Sequence, residues 1–206
     1  MGAAPIAAPC PAPLLLSLCA PAMGSGKTTL AEYLEFEHGF QIVRFASGLK
    51  AMTQALFENI GLSAYDAREL IGDPELKELP LRELGGATPR YLMQTLGTEW
   101  GRNVHGDDFW VNLTMTKVKR LMAEGHSVVI DDCRFTNEAD AVIDAGGRMI
   151  RIVRPGIKVA EGKRHVSEGE LDAYPCFATL LNDGRPEKLY RNADSTLNVI
   201  RAIQSY

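Results

Sequence analysis

Cysteine is scarce in this chain, and no two cysteines form the closely spaced pair that binds zinc or carries out thiol–disulfide exchange. The chain has 206 residues and 4 cysteines, which are Cys10, Cys19, Cys133 and Cys176. The spacing therefore indicates neither a zinc site nor a redox motif. A protein that works in a reducing, cytoplasmic environment is the simplest interpretation.

Long apolar runs are also missing, although 46% of the residues are hydrophobic. No run approaches the roughly 20 residues of a membrane-spanning helix, so we expect no membrane association. The segment LLLSLCAPA resembles the apolar part of a signal peptide, but no basic residues precede it. We interpret Met1–Pro13, rich in alanine and proline, as a flexible tail, and residues 14–206 as one globular domain.

An excess of basic residues is the third absence. Lysine and arginine total 22 against 26 aspartates and glutamates, which gives a formal net charge of −4. Proteins that bind nucleic acid usually carry a basic surface. The charge balance therefore argues against a nucleic-acid partner, although it leaves room for a local basic pocket.

The most informative stretch is Leu14–Leu30, with the sequence LLLSLCAPAMGSGKTTL. An apolar strand, a glycine-containing loop and a helix that opens near Gly26 follow one another in the order of a phosphate-binding P-loop. Lys27 would reach the β- and γ-phosphates of a nucleoside triphosphate, and the Thr28 hydroxyl would hold Mg²⁺. The expected phosphate contacts are Gly24, Ser25, Gly26, Lys27, Thr28 and Thr29. The motif departs from the usual pattern at Pro21, where glycine is expected, and a strand–turn–helix with a chance GSGKTT is the alternative.

Strand-like and helix-like segments alternate along the chain, which indicates an α/β fold with a parallel sheet covered by helices on both faces. The predicted strands are Leu14–Cys19, Gln41–Phe45, His126–Asp132, Arg148–Val153 and Phe177–Leu181. The predicted helices include Gly26–Glu37, one capped by Ser47, one begun by Thr88 and Pro89, Asp107–Glu124 and Pro186–Gln204. Ligands of such folds bind beyond the carboxyl ends of the strands.

The helix that begins at Thr88 has two notable features. Arg90 and Gln94 lie along one face, and Gly97 and Gly101 lie beside them. A glycine inside a helix costs ~1 kcal/mol relative to alanine, so this pair indicates that something packs close to the backbone. Another helix and a bound ligand both fit the pattern.

Two aspartates and an arginine follow the predicted strand His126–Asp132. Asp132 suits a water-mediated contact to Mg²⁺, and Asp131 is expected to support the loop, although the sequence does not separate their roles. Arg134 would direct a cationic fork into the same crevice. Because the P-loop also follows a strand, we expect both segments to form one site.

Cationic side chains occur along the chain in the number that a reaction between two polyanions requires. If the acceptor is a nucleoside monophosphate, its phosphate is largely ionised at neutral pH, so the site needs charge neutralisation and no general base. The side chains that could neutralise the charge are Lys27, Arg90, Arg102, Arg134, Arg154 and Arg164.

Longer segments carry a resemblance to a known family. TPRYLMQTLGTEWGR (Thr88–Arg102), followed by DDFWV (Asp107–Val111), resembles the signature of phage-type deoxynucleoside monophosphate kinases. DDCRFTNEADA (Asp131–Ala141) is similar to the D-x-R-F-x-N-E-A segment of that family, and RFASGLK and HVSE also match its pattern. The departures are Pro21 and Ser47, the second of which stands where the family often has an acidic residue.

The resemblance implies a P-loop kinase fold and transfer of the γ-phosphoryl group of ATP, with Mg²⁺, to a small-molecule deoxynucleoside monophosphate. It implies an acceptor-binding region over about residues 46–106 and a lid over about residues 154–175. The implied catalytic residues are Lys27, Asp132, Arg134 and Arg164. The implied substrate contacts are Lys50, Arg90, Gln94, Trp100, Arg102, Asp131, Arg134 and Arg154, with Trp100 stacking on the base unless it packs in the core. The expected location is the cytoplasm, which is that of the host if a phage encodes the protein, and a homodimer stays open.

Two other functions fit the same P-loop. The first is a kinase of another small phosphorylated acceptor, such as a dephospho-coenzyme A-like or phosphomevalonate-like molecule. The second is a nucleotide-dependent switch that phosphorylates nothing. ADP release measured with and without each deoxynucleoside monophosphate separates these functions.

Overall fold

A five-stranded parallel sheet lies at the centre of the protein, whose computed structural model describes residues 12–157 and 169–205. The strands are β1 (Leu15–Cys19), β2 (Gln41–Val43), β3 (Val128–Ile130), β4 (Arg148–Val153) and β5 (Ala178–Leu181). Their spatial order is β2-β3-β1-β4-β5, and each neighbouring pair is parallel. Because the chain order reverses at β1, the end of this central strand is a point where ligands of α/β proteins bind.

Seven α-helices are described around the sheet. They are α1 (Lys27–His38), α2 (Ser47–Asn59), α3 (Ala64–Gly72), α4 (Pro89–Thr95), α5 (Phe109–Ala123), α6 (Thr136–Asp144) and α7 (Pro186–Gln204). Short 3-10 turns occur at Leu76–Glu78 and Arg82–Leu84, and a π-helical segment, Leu96–Val104, continues α4. Among the described residues, no helix combines the length and the apolar character that a membrane crossing requires.

The buried strands direct alternate side chains to two apolar layers. Leu16 and Leu18 of β1 pack in one cluster with residues of α1 and α7, whereas Leu15 and Cys19 pack in another with residues of α5 and α6. The alternation follows from the two-residue period of a strand. The predicted α/β fold, with helices on both faces of a parallel sheet, is therefore confirmed.

The helices between β2 and α5 form a smaller layer with its own apolar cluster. Phe57 of α2 and Ala67 and Ile71 of α3 are buried there, and Leu92 and Met93 of α4 pack against them. This layer corresponds to the region that the sequence marks for the acceptor. It stands beside the carboxyl edge of the sheet, because α2 directly follows β2.

Several boundaries follow the sequence closely, and one cap differs. Strand β4 and helix α7 have the predicted limits, and the Thr88 hydroxyl accepts a hydrogen bond from Tyr91 N at 3.1 Å as a helix cap does. The predicted cap by Ser47 is wrong by one position: Ala46 is the cap residue, and the Ser47 hydroxyl donates to the Arg44 carbonyl at 2.6 Å.

Two predicted segments extend beyond the described residues. Residues 1–11 of the predicted tail lie outside them. So do residues 158–168 of the predicted lid, which include Arg164. Both stay predictions.

Candidate active site

The P-loop connects β1 to α1 through two glycines in the left-handed region. Gly24 has φ 73° and Gly26 has φ 103°, and among the described residues only glycines have positive φ. Pro21 therefore does not have to adopt the conformation that glycine is needed for. Helix α1 begins at Lys27 with no side-chain cap at Gly26. The N–H groups of its first turn are consequently left for an anion.

Two polar side chains hold this loop in shape. The buried Ser25 hydroxyl donates to the Ala22 carbonyl at 2.7 Å. The Asn182 side-chain amide, which follows β5, donates to the Ser25 carbonyl at 2.9 Å. A Cβ atom on Gly26 would stand 2.5 Å from Asn182 Nδ2. Asn182 was missed by the sequence analysis because only the fold brings it to the loop.

An open cleft of about 340 Å³, here called the P-loop cleft, lies next to this loop. Its lining consists of Gly24, Ser25, Gly26, Lys27, Thr28, Thr29, Arg154, Asn182, Gly184, Pro186 and Leu189. All six predicted phosphate contacts are therefore brought together. Arg154, predicted as a substrate contact, lies in this cleft and donates to the Gly24 carbonyl at 3.3 Å.

A second cleft of about 290 Å³, here called the basic cleft, opens between the sheet edge and the helical layer. Of the predicted substrate contacts, Lys50, Arg90, Gln94, Arg102 and Arg134 line it. Asp132 and Glu138 are the acidic residues of the lining, and Trp110, Lys77 and Phe135 belong to it as well. Five cationic side chains thus face one cavity with two carboxyl groups.

Lys27 and Arg134 connect the two clefts. Both line a small cavity of about 40 Å³ beside the P-loop, and Arg134 also lines the basic cleft. Burial lowers the pKa of Lys27, and the charge of Arg134 lowers it further. The two cations are thus close enough to repel each other, which an anion between them would relieve.

The two aspartates after β3 already have partners. The Arg44 guanidinium donates to both Asp131 carboxylate oxygens, at 2.7 and 2.8 Å. The Asp132 carboxylate accepts the backbone N–H groups of Phe45 and Ala46, at 2.8 and 3.0 Å. Burial raises the pKa of Asp132, and these backbone bonds oppose the rise. Both aspartates therefore position the β2–α2 loop, and Asp131, unlike Asp132, is not part of the basic cleft lining.

Trp110, and not Trp100, forms the indole wall of the basic cleft. Trp100 lies outside the lining and packs edge-to-face on His105 and Phe109, with ring centroids at 4.5 and 5.3 Å. Trp110 is 5% exposed, and its Nε1–H donates to the Gly97 carbonyl at 2.9 Å. The structure therefore does not support the prediction that Trp100 stacks on the base.

One of the two glycines of the π-helical segment, Gly101, is explained by the same indole ring. A Cβ atom on Gly101 would stand 2.2 Å from Trp110 Nε1, whereas one on Gly97 would stand 3.4 Å from Leu49. At Gly101, of the two open explanations, the close packing comes from the neighbouring helix α5. The Trp110 side chain fills the space that this glycine leaves.

Glu138 is a site residue that the sequence analysis quoted only as part of a motif. Its carboxylate accepts the backbone N–H groups of Arg134 and Phe135, at 2.8 and 3.2 Å, and lies 3.5 Å from the Arg102 guanidinium. Arg102 also stacks over the Phe135 ring at 3.8 Å. Burial raises the pKa of Glu138 to about 7, although the backbone bonds and Arg102 oppose the rise. One carboxyl group thus fixes two cationic residues of the cleft.

The backbone N–H groups and the hydroxyl at the P-loop fit a nucleoside triphosphate with a magnesium ion. Gly24 and Gly26 leave backbone N–H groups free to approach phosphate oxygens, and Thr28 offers a hydroxyl at the start of α1. Within residues 12–157 and 169–205, no cluster of three or more acidic, histidine or cysteine side chains is suited to a metal. Magnesium bound mainly by water and phosphate oxygens does not require one.

A parallel sheet with a P-loop on its central strand, and two clefts joined at the same edge, defines a P-loop nucleotide-binding protein. Residues 86–193 match the family model described as deoxynucleotide monophosphate kinase. A protein of Acanthamoeba polyphaga mimivirus, provisionally named a deoxynucleotide monophosphate kinase, is 35% identical over 177 residues, which cover 81% of this chain and 88% of that protein. The chain therefore belongs to the deoxynucleotide monophosphate kinase family.

Two further comparisons show lower sequence identity. The deoxynucleotide monophosphate kinase of Enterobacteria phage T4 is 31% identical over 112 residues, or 54% of this chain and 46% of that protein. Among solved structures, TT1252 from Thermus thermophilus has a TM-score of 0.43 and 16% identity, and the alignment covers 90% of this chain and 97% of that one.

Proposed function

We propose that this protein transfers the γ-phosphoryl group of ATP to a deoxynucleoside monophosphate, giving ADP and a deoxynucleoside diphosphate for DNA synthesis. The proposal rests on family membership and, in the structure, on the position of Arg134. This residue lines both the small cavity beside Lys27 and the basic cleft. A donor held by the P-loop and an acceptor in the basic cleft would meet at this side chain.

The charges of the basic cleft suit a nucleoside monophosphate. Lys50, Lys77, Arg90, Arg102 and Arg134 line it, and its two carboxyl groups already accept backbone N–H groups. A phosphate monoester with nearly two negative charges at neutral pH neutralises most of this excess. We assign Trp110 and Gln94 to the wall beside the acceptor, because an aromatic face and an amide are suited to a base.

The chemical step needs positioning and charge neutralisation more than proton transfer. An oxygen of the ionised acceptor phosphate forms a bond to the γ-phosphorus while the bond to the bridging β–γ oxygen breaks, and that electron pair leaves with ADP. Lys27 would neutralise the β- and γ-phosphates and Arg134 the transferring group. Magnesium, held in part by Thr28, would supply further neutralisation between the phosphates.

A coupled assay of ADP release tests the proposed reaction. We expect release to depend on added deoxynucleoside monophosphate, with each of the four tested separately. Ribonucleoside monophosphates and phosphorylated acceptors without a base serve as comparison substrates. ADP release that no monophosphate stimulates would contradict the proposal, and so would preference for an acceptor without a base.

The Lys27→Met variant tests the P-loop assignment. We expect turnover to fall by a factor on the order of 10²–10³, because one charge aimed at the transferring phosphates is lost. Circular dichroism and thermal melting establish that the variant folds. The matched control is Lys119→Met, an exposed residue of α5, which should keep normal turnover. Near-normal turnover in folded Lys27→Met would overturn the assignment.

A further inference from the structure

Three cysteines meet on the face of the sheet that α5 and α6 cover. Cys19 ends β1, Cys133 follows β3 and Cys176 precedes β5, and all three belong to the apolar layer under α5 and α6. The Sγ atoms of Cys19 and Cys176 stand 3.6 Å apart, although 157 residues separate them in sequence. Cys19 and Cys133 also line the small cavity that contains Lys27.

Arg151 of β4 holds the segment that precedes Cys176 against the sheet. Its guanidinium donates to the Leu171 and Tyr174 carbonyls, at 2.7 and 2.8 Å, and β4 lies between β1 and β5. These hydrogen bonds hold residues 169–176 against the sheet, with Cys176 beside Cys19. Cys176 is half-buried, whereas Cys19 is 2% exposed.

We propose that Cys19 and Cys176 are a modification site, at which a peroxide oxidant forms a reversible disulfide. This disulfide displaces the P-loop and thereby inactivates the protein. The Cys176 thiolate attacks one peroxide oxygen, becomes a sulfenic acid and releases hydroxide. The Cys19 sulfur then displaces the sulfenic oxygen, which leaves as water, and the disulfide forms. In total two thiols lose two electrons and two protons, and one hydrogen peroxide becomes two waters.

The electrostatic surroundings favour Cys176 as the sulfur that reacts first. The hydrogen bond from Cys19 lowers the pKa of Cys176 below its ordinary value, and the charge of Arg151 also lowers it. The same hydrogen bond, and after it burial, raise the pKa of Cys19. The thiolate is the reactive form, so the more accessible cysteine also carries the more reactive sulfur.

The bond would act on the P-loop because Cys19 is the last residue of the strand that leads into it. The sulfurs must approach from 3.6 Å to about 2.05 Å. Side-chain rotation and displacement of the two segments together must close this gap of roughly 1.5 Å, and displacement at Cys19 is passed to the loop. Residues 20–23 follow Cys19 directly and line the cavity that contains Lys27. Misplacement of about 1 Å at a phosphoryl-transfer site can cost on the order of 100-fold in rate.

The experiment exposes the whole protein to hydrogen peroxide and then maps disulfides in the unreduced, alkylated chain by peptide mass spectrometry. We expect a Cys19–Cys176 crosslink, a loss of two free thiols and a return of both on treatment with dithiothreitol. Cys133→Ser should still form the crosslink, whereas Cys176→Ser should not. A crosslink to Cys10 or Cys133 instead, or none, would overturn the site.

Two functional readouts test inactivation. We expect the crosslinked protein to lose on the order of tenfold or more in turnover, restored by dithiothreitol, while Cys176→Ser keeps its turnover after the same treatment. The turnover assay rests on the proposed function, so titration with a fluorescent ATP analogue provides an independent measurement of P-loop damage. If the reduced protein lacks kinase activity, only the proposed function fails. A crosslinked protein with normal analogue binding and turnover would overturn the switch.

Discussion

At the scale of single residues, buried carboxyl groups and their partners determine where the loops that follow the strands lie. Asp131 has a side chain that is 3% exposed and depends on Arg44 for both carboxylate oxygens. Arg44→Ala should destabilise the protein by about 3 kcal/mol, because it leaves a buried carboxylate without its counter-ion. Urea unfolding measures the change in free energy.

A matched substitution tests whether the loss of stability is specific to Arg44 or follows the removal of any paired arginine. Arg120 also pairs with a carboxylate, Glu124, but at 3.8 Å and on the exposed surface of α5. Arg120→Ala should change the free energy of unfolding by less than about 0.5 kcal/mol. The double variant Arg44→Ala with Asp131→Asn should recover part of the loss. Equal effects of the two arginine substitutions would contradict the prediction.

Glu138 gives the protein a predictable dependence of stability on pH. Its pKa is raised by burial to about 7 from an ordinary value of 4.5, so the folded state holds a proton that the unfolded state releases between these values. The contribution is fully present below about pH 4.5 and is lost as the pH rises through 7, with a size of about 3 kcal/mol.

Glu138→Gln should remove this dependence, because the amide resembles the protonated acid and still offers an oxygen to the two backbone N–H groups. The variant should match the wild type at pH 5 and exceed it in stability at pH 8. Unfolding by urea at both values measures the difference, and Glu124→Gln on the surface is the control. The same pH slope in wild type and Glu138→Gln would show that another group titrates.

At the scale of elements, the π-helical segment Leu96–Val104 packs closely against Trp110 of α5. Gly101→Ala should destabilise the protein by about 1–3 kcal/mol, since its Cβ would stand 2.2 Å from a rigid indole nitrogen. It should also raise the KM for the acceptor, because Trp110 lines the basic cleft. Thermal unfolding and acceptor titration measure these two effects.

The second glycine of the same segment is the control. Gly97→Ala places its Cβ 3.4 Å from Leu49 Cδ2, an ordinary contact, and should change stability by less than about 1 kcal/mol. Adding Trp110→Phe to Gly101→Ala should recover stability, because the smaller ring leaves room. A Gly101→Ala protein as stable as Gly97→Ala would mean that the indole ring moves aside without cost.

The sequence predicts most elements and misses what depends on contacts between them. Apolar periodicity and capping residues locate β4, α7 and the start of α4, because these signals are local. The pair of glycines indicates a close approach but does not name Trp110, which comes from another helix. The same limit explains Trp100: both tryptophans belong to one motif, and only packing decides which one faces the cleft.

For the whole molecule, the topology brings together residues that the chain keeps apart. The P-loop, Asn182 and Arg154 form one cleft, while Arg134, Arg102 and Lys50 belong to the other. Both the P-loop and the segment with Arg134 follow strands of a parallel sheet, so Lys27 and Arg134 could be assigned to one site from the sequence. Arg154 follows β4, on the other side of β1, which is why it reaches the P-loop cleft instead of the acceptor side.

Two clefts with separate linings should bind two nucleotides independently before reaction. A ligand at 100 times its Kd stabilises the folded state by about 2.7 kcal/mol. A non-hydrolysable ATP analogue and a deoxynucleoside monophosphate should therefore each raise the Tm.

Asn182→Ala should reduce only the shift caused by the analogue, because Asn182 holds the Ser25 carbonyl of the P-loop. Arg90→Ala should reduce only the shift caused by the monophosphate, because Arg90 lines the basic cleft. Thermal melts of both variants with each ligand give four comparisons, and loss of both shifts in either variant would show that the clefts do not bind separately.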